Sequence, residues 1–148
     1  MLLNKTTQKI LIWTIGLLGL TGAAQMPIFK RYYIADIPGL GWLANFYLTH
    51  RLHYVLATIL LFIFGIIVVR AVSQKILAQI SGFGWFKLGL WLGIIVTGML
   101  RVIKNYPQYY LSPKTVVLID IAHLGLVITL GLVSLIGWIT KLNYLKKS

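Results

Sequence analysis

Four long apolar stretches alternate with short polar segments along the chain. We predict helices over about 10–26, 43–72, 83–104 and 113–140. Each apolar run approaches or exceeds the ~20 residues that an α-helix needs to cross about 30 Å of hydrocarbon. The runs are continuous and lack the strict alternation of a membrane β-strand. The pattern therefore predicts an all-α fold, an integral membrane four-helix up-down bundle that forms a single membrane domain over residues 1–148.

The ends of the stretches carry helix signals. Ser112 followed by Pro113 predicts the N-cap and the first residue of the fourth helix. The first stretch begins with Lys5 and Lys9 and ends in small residues, as a secretory signal peptide also does. We expect this stretch to be retained as a helix. No internal repeat or soluble domain is apparent in the order of residues.

Composition and charge both favour a bilayer. Hydrophobic residues make up 59% of the chain and charged residues only 11%, whereas a soluble domain carries about a quarter charged residues. The net charge of +12 would suggest nucleic acid in a soluble protein. Here the basic residues flank apolar runs, where they meet lipid phosphates, so we expect membrane lipid and no nucleic acid as a partner. Eight basic residues on the side of the termini, against six on the opposite side, predict that both termini lie in the cytoplasm.

Cysteine is absent from the chain. This absence excludes disulfides, iron–sulfur clusters held by this chain, thiolate zinc sites and covalent c-type haem attachment. A metal centre would have to use histidine, methionine, carboxylate or a residue of a partner subunit.

The three histidines, His50, His53 and His123, are the strongest candidates for chemistry, because an ionisable side chain inside a span is costly. His53 lies 17 residues before Arg70 and His123 lies 18 residues before Lys141, roughly 25 and 27 Å from the same membrane boundary. Imidazoles at equal height on two helices that run the same way suit the two axial positions of a haem iron. We therefore predict one haem b with His53 and His123 as axial ligands. The alternative is that they are interfacial histidines without a cofactor.

Two arginines and two further titratable residues lie near the same predicted face. Arg51 and Arg101 are expected to contact the haem propionates, because guanidinium binds carboxylate bidentately; the alternative is that they reach to lipid headgroups. His50 and Asp120 are candidates for an alternative ligand or a quinone site, where protons move with electrons. Alternatively, Asp120 pairs with Arg101 or Lys114, and His50 ligates a second haem shared with a partner.

Glycines recur along the first and third helices. They are Gly16, Gly19 and Gly22, and Gly89, Gly93 and Gly98. Small residues admit the edge of a porphyrin, but they equally allow two helices to pack closely. Close packing is the expected role of each stripe taken alone.

Two segments give the chain a family resemblance. They are Met26-Pro27 through Asp36-Ile37-Pro38-Gly39 to Thr49-His50-Arg51-Leu52-His53-Tyr54, and Asp120-Ile121-Ala122-His123-Leu124. In these segments, and in helix count and order, the chain resembles the four-helix cytochrome b subunits of membrane-bound formate dehydrogenases and nickel–iron hydrogenases. It looks closest to small cytochrome b-like membrane proteins of anaerobic bacteria. The formate dehydrogenase type holds two haems and also takes ligands from its first helix. This chain has no histidine there, so we expect one haem rather than two.

The resemblance implies an electron-transfer subunit of a respiratory complex in the bacterial inner membrane, with no catalytic residues of its own. One b-type haem would pass electrons between a redox partner subunit, either an iron–sulfur protein or a multihaem cytochrome, and the quinone pool. The alternative is a haem-free membrane anchor or assembly subunit. A small transporter is disfavoured, because the spans hold few polar residues to line a path.

Overall fold

The computed structural model describes residues 3–26 and 36–145. Within them the chain forms four α-helices: α1 (Lys5–Ala24), α2 (Phe46–Ser73), α3 (Gly82–Ile103) and α4 (Pro113–Ile139). The all-α prediction is confirmed for this part of the chain, and each helix end lies within five residues of its predicted position. Pro27, which belongs to the segment that carries the resemblance, lies outside the described residues.

A side chain caps the first turn of each of these helices. Asn4, Asn45, Ser81 and Ser112 each accept a hydrogen bond from the backbone N–H three residues later, at 2.8, 3.1, 3.1 and 3.3 Å. Such a cap satisfies an N–H group that the helix leaves without a partner. Pro113 follows the last cap, as predicted, because proline needs no N–H partner there. The Asn4 cap explains why α1 begins at Lys5, before its apolar stretch.

Three of the helices, α2, α3 and α4, are long and apolar enough to cross a membrane. Their 28, 22 and 27 residues rise about 42, 33 and 40 Å, against about 30 Å of hydrocarbon. Many of their large apolar side chains lie outward, including Phe62 at 72% exposure and Trp138 at 78%. Apolar helices of this kind suggest contact with membrane lipid, so the chain is compatible with a multi-pass membrane protein.

Helix α1 does not reach the same length and composition. Its first five residues, Lys5-Thr6-Thr7-Gln8-Lys9, are polar, and the remaining residues 10–24 rise only about 22 Å. The structure therefore shows four helices, of which three are able to span a membrane. That all four helices cross the membrane as one bundle stays a prediction.

The chain divides into two compact units, Met1–Lys75 and Ile76–Ser148. In the first unit, α1 packs along α2. The 3₁₀ turn Gly41–Ala44 contacts both helices and buries Leu43 completely. This 3₁₀ turn therefore closes one end of the helix pair.

In the second unit, α3 packs along α4, and residues 142–145, here called the C-terminal tail, fold back onto the start of α3. Lys141 turns the chain with a φ of 54°, in the left-handed conformation that often follows a helix. The Ser81 N–H donates to the Tyr144 carbonyl at 2.9 Å, and its hydroxyl donates to the Asn143 carbonyl at 2.8 Å. Lys87 lies beneath the tail at 6% exposure, and its ammonium donates to the Tyr144 hydroxyl at 2.6 Å.

Candidate functional site

His53 on α2 is held by two consecutive residues of α1. The Thr21 hydroxyl oxygen lies 3.0 Å from Nδ1 of the ring. A Cβ at Gly22 would lie 3.3 Å from the ring Cε1, so glycine is the residue that leaves the ring its position. Thr21 is fully buried and His53 is half-buried. The imidazole therefore packs against the helix partner in its own unit.

His123 on α4 has the same surroundings on α3. The Thr97 hydroxyl oxygen lies 3.0 Å from Nδ1, and a Cβ at Gly98 would lie 3.3 Å from Cε1. Thr97 and His123 are both half-buried. In the second unit, as in the first, the histidine thus packs against a Thr-Gly pair on the preceding helix.

The sequence pattern alone did not reveal Thr21 and Thr97 as partners of the histidines. Thr21 and His53 are 32 residues apart along the chain, whereas Thr97 and His123 are 26 residues apart. A search for a repeat at one fixed spacing fails because the segments between each pair differ in length. The signal in the sequence is a Thr-Gly pair near the C-terminal end of the helix before each histidine.

His50, one helical turn before His53, has a different set of partners. Its Nδ1 lies 3.2 Å from Oε1 of the Gln25 side chain. Because an amide oxygen only accepts, the ring donates here, and in the neutral ring the lone pair lies on Nε2. Phe46 stacks on the ring with centroids 5.4 Å apart, and Tyr54 lies at 4.3 Å on a tilted plane. His50 is thus an oriented imidazole between two aromatic rings.

Asp120 on α4 pairs with two cations, Arg101 of α3 and Lys104, the residue that follows the end of α3. Its Oδ1 accepts from Nε of Arg101 at 2.8 Å, and both its oxygens accept from Nζ of Lys104 at 2.7 Å. Arg101 was an expected partner. Lys104 rather than Lys114 is the second one, because Lys104 lies three residues after Arg101 and shares its helix face. Two positive charges on one carboxylate leave the cluster with a net positive charge.

The donors that the described side chains offer are of the type that haem iron accepts. Haem iron takes four nitrogens from the porphyrin and needs only two from protein, and His53 and His123 each present one imidazole. Among the described residues, no group of three or more His, Cys, Asp or Glu side chains comes together. Arg51 is exposed near the start of α2, while Arg101 is bound to Asp120. Their predicted contact with propionates stays a prediction.

Comparisons of the chain with protein-family models, with curated proteins and with solved structures find no match. Its resemblance to membrane cytochrome b subunits therefore rests on the quoted residues alone.

Proposed function

We propose that the chain is a b-type cytochrome subunit of a respiratory complex in the bacterial inner membrane. In this proposal it transfers electrons between a redox partner subunit and the membrane quinone pool, and His53 and His123 are the axial ligands of its haem iron. One observation carries the proposal: each of the two rings has a threonine hydroxyl at Nδ1 and a glycine at Cε1.

This setting favours ligand histidines over histidines that merely border the lipid headgroups. A histidine that binds a metal through one ring nitrogen is normally oriented by a hydrogen bond at the other. In His53 and His123 the oriented nitrogen is Nδ1, so Nε2 is the nitrogen assigned to iron. The neighbouring glycine leaves each ring the room to lie close against the partner helix. A headgroup histidine needs neither feature, and here both features occur twice.

The pairing of His53 with His123 on one iron comes from the sequence, which predicts equal heights in the membrane. The charge near His123 also favours a haem, which carries two propionate groups. The Arg101–Lys104–Asp120 cluster keeps a net positive charge, and such a charge attracts an anionic carboxylate. Arg101 is therefore proposed as a contact of a haem propionate, and Arg51 as a second one.

Haem, when bound, supplies one-electron chemistry with a potential set by its ligands and its burial. The chain itself holds the rings and surrounds them with apolar helices that exclude water. Most of the described residues lie in helices, so catalysis is assigned to partner subunits, an iron–sulfur protein or a multihaem cytochrome. His50 and Asp120 are proposed for proton transfer to or from quinone, and both termini are assigned to the cytoplasm.

A reduced-minus-oxidised spectrum of the purified chain, expressed with ample haem, tests the proposal. We expect the α-band of a low-spin b-type haem, lost in His53→Ala and in His123→Ala. His50→Ala is the matched control, since this residue lies on the same helix one turn away, and the band should persist.

Two results would overturn parts of the proposal. Loss of the band in His50→Ala together with its retention in His53→Ala would move the ligand by one turn. A chain that folds but shows no band in haem-replete cells would rule out the cytochrome and leave the haem-free anchor.

A further inference from the structure

The two units share more than a histidine. In each unit a polar residue lies four positions after the threonine of the Thr-Gly pair. Its side chain forms a hydrogen bond with the residue three positions before the histidine. The first unit has Thr21, Gly22 and Gln25 facing His53 and His50, and the second has Thr97, Gly98 and Arg101 facing His123 and Asp120. Three equivalent contacts at equivalent positions make the two helix pairs copies of one module.

The distances around each threonine locate its hydroxyl hydrogen. Oγ1 of Thr21 lies 2.8 Å from the carbonyl oxygen of Leu17, and Oγ1 of Thr97 lies 2.7 Å from that of Gly93. These are typical O–H···O distances, and two oxygens this close repel unless a hydrogen lies between them. Because a hydroxyl has a single hydrogen, each threonine donates to its own helix and has only lone pairs to offer the imidazole.

The ring nitrogen opposite the hydroxyl must then be the donor. Nδ1 of His53 and Nδ1 of His123 each lie 3.0 Å from a threonine oxygen, a typical N–H···O distance. A neutral imidazole carries its hydrogen on one nitrogen and its lone pair on the other. A hydrogen on Nδ1 therefore puts the lone pair on Nε2.

We propose that Thr21 and Thr97 are positioning residues, each of which holds its histidine with the hydrogen on Nδ1 and the lone pair on Nε2. In each unit the ring Nδ1–H donates to the threonine oxygen, and the threonine hydroxyl donates to a carbonyl oxygen of its own helix. The effect of this tautomer on iron binding rests on the proposed function. The assignment of the tautomer does not depend on it.

Nitrogen NMR of the full-length chain, labelled in its histidines and reduced in detergent, reads the tautomer directly. We expect Nδ1–H signals from His53 and His123, with or without haem in the sample. In the haem-free chain, Thr97→Val keeps the shape of the side chain and removes the hydroxyl, so the Nδ1–H signal of His123 should be lost while that of His53 persists. Thr21→Val should do the reverse, and Thr97→Ser should restore the signal of His123.

The haem-loaded chain gives a second readout. An oriented partner of a metal-bound histidine typically changes affinity by about 10- to 100-fold, so we expect each valine variant to bind haem that much more weakly and the serine variant to bind as the parent does. The midpoint potential should also rise, because a ring without its acceptor is a weaker electron donor to iron.

Nε2–H signals at both histidines of the parent chain would overturn the proposal. An unchanged Nδ1–H signal of His123 in the haem-free Thr97→Val chain would do so as well. Because each valine variant leaves the other unit's histidine as an internal reference, general misfolding is recognised by loss of both signals. Thr97→Ser and its counterpart Thr21→Ser then decide, because a serine variant that folds without the Nδ1–H signal of its histidine contradicts the positioning role. Absence of haem with both Nδ1–H signals present would reject the cytochrome but not the positioning role.

Discussion

Alanine at Gly98 puts a methyl group directly against the ring of His123. The new Cβ would lie 3.3 Å from Cε1 and 3.8 Å from Nδ1, so the ring must move away from α3 and strain its bond to Thr97. Gly89 on the same helix is the matched control, because a Cβ there meets nothing within 4 Å.

The magnitude follows from two opposing effects. Alanine in place of glycine inside a helix stabilises it by about 0.5–1 kcal/mol, and both variants gain this. An added methyl in a filled position costs about 1–3 kcal/mol, and only Gly98→Ala incurs it. In the haem-free chain the ring of His123 can relax away from the new methyl, whereas a ring bound to iron cannot. The strain of about 1–3 kcal/mol therefore falls on binding, which corresponds to about a 5- to 150-fold weaker haem affinity for Gly98→Ala than for Gly89→Ala.

Titration of the haem-depleted chain with haem, followed by absorbance, measures this difference. The first unit offers an independent repeat of the experiment, with Gly22→Ala as the variant and Gly16→Ala as its control. If both variants bind haem as tightly as their controls, the close approach of glycine to imidazole has no part in ligand positioning, and the reasoning is refuted.

Three further substitutions probe the second unit. Gly84→Ala would put a Cβ 2.5 Å from the Tyr144 carbonyl oxygen, so the tail must detach and lose its three hydrogen bonds to Ser81 and Lys87. The free energy of unfolding should then fall by about 2–6 kcal/mol, seen as a lower melting temperature in detergent, whereas Gly82→Ala, which has open space, should not lower it. Tyr144→Phe removes the acceptor of the buried Lys87 ammonium and should cost about 1–3 kcal/mol by the same measurement, while an unchanged melting temperature would show that the aromatic ring alone suffices. Asp120→Asn leaves two cations without their carboxylate; chloride-dependent thermal stability should appear in this variant and be absent from the parent.

The helices were predictable because their signals are local. Long apolar runs marked their interiors, and Ser112 with Pro113 marked the start of α4 to the residue. The start of α1 was missed because hydropathy ignores caps: Asn4 begins the helix ahead of the polar turn from Lys5 to Lys9. That same polar turn shortens the apolar part of α1, which is why this helix differs from the other three.

The histidine sites were predictable only in part. His53 and His123 were found because an ionisable side chain inside an apolar helix costs free energy. Thr21 and Thr97 gave no such signal. Threonine bonded to its own helix carbonyl is common in membrane helices and carries no signal by itself. Its contact with a histidine depends on how two helices pack, a property that the order of residues along one helix does not fix.

The charged cluster shows the same limit. Asp120 with Arg101 was an expected alternative, whereas Lys104 was not expected as the second partner. Lys104 follows the end of α3, so its reach to Asp120 depends on where that helix stops and on which face of α4 it meets.

We propose that His53 and His123 are the two ligands of one b-type haem. Haem content and the reduced-minus-oxidised spectrum of the purified full-length chain test it most directly. We predict one haem per chain with a low-spin b-type α-band, abolished by either His53→Ala or His123→Ala and retained in His50→Ala. A folded, haem-replete preparation without that band, or a band that survives both single substitutions, would contradict it.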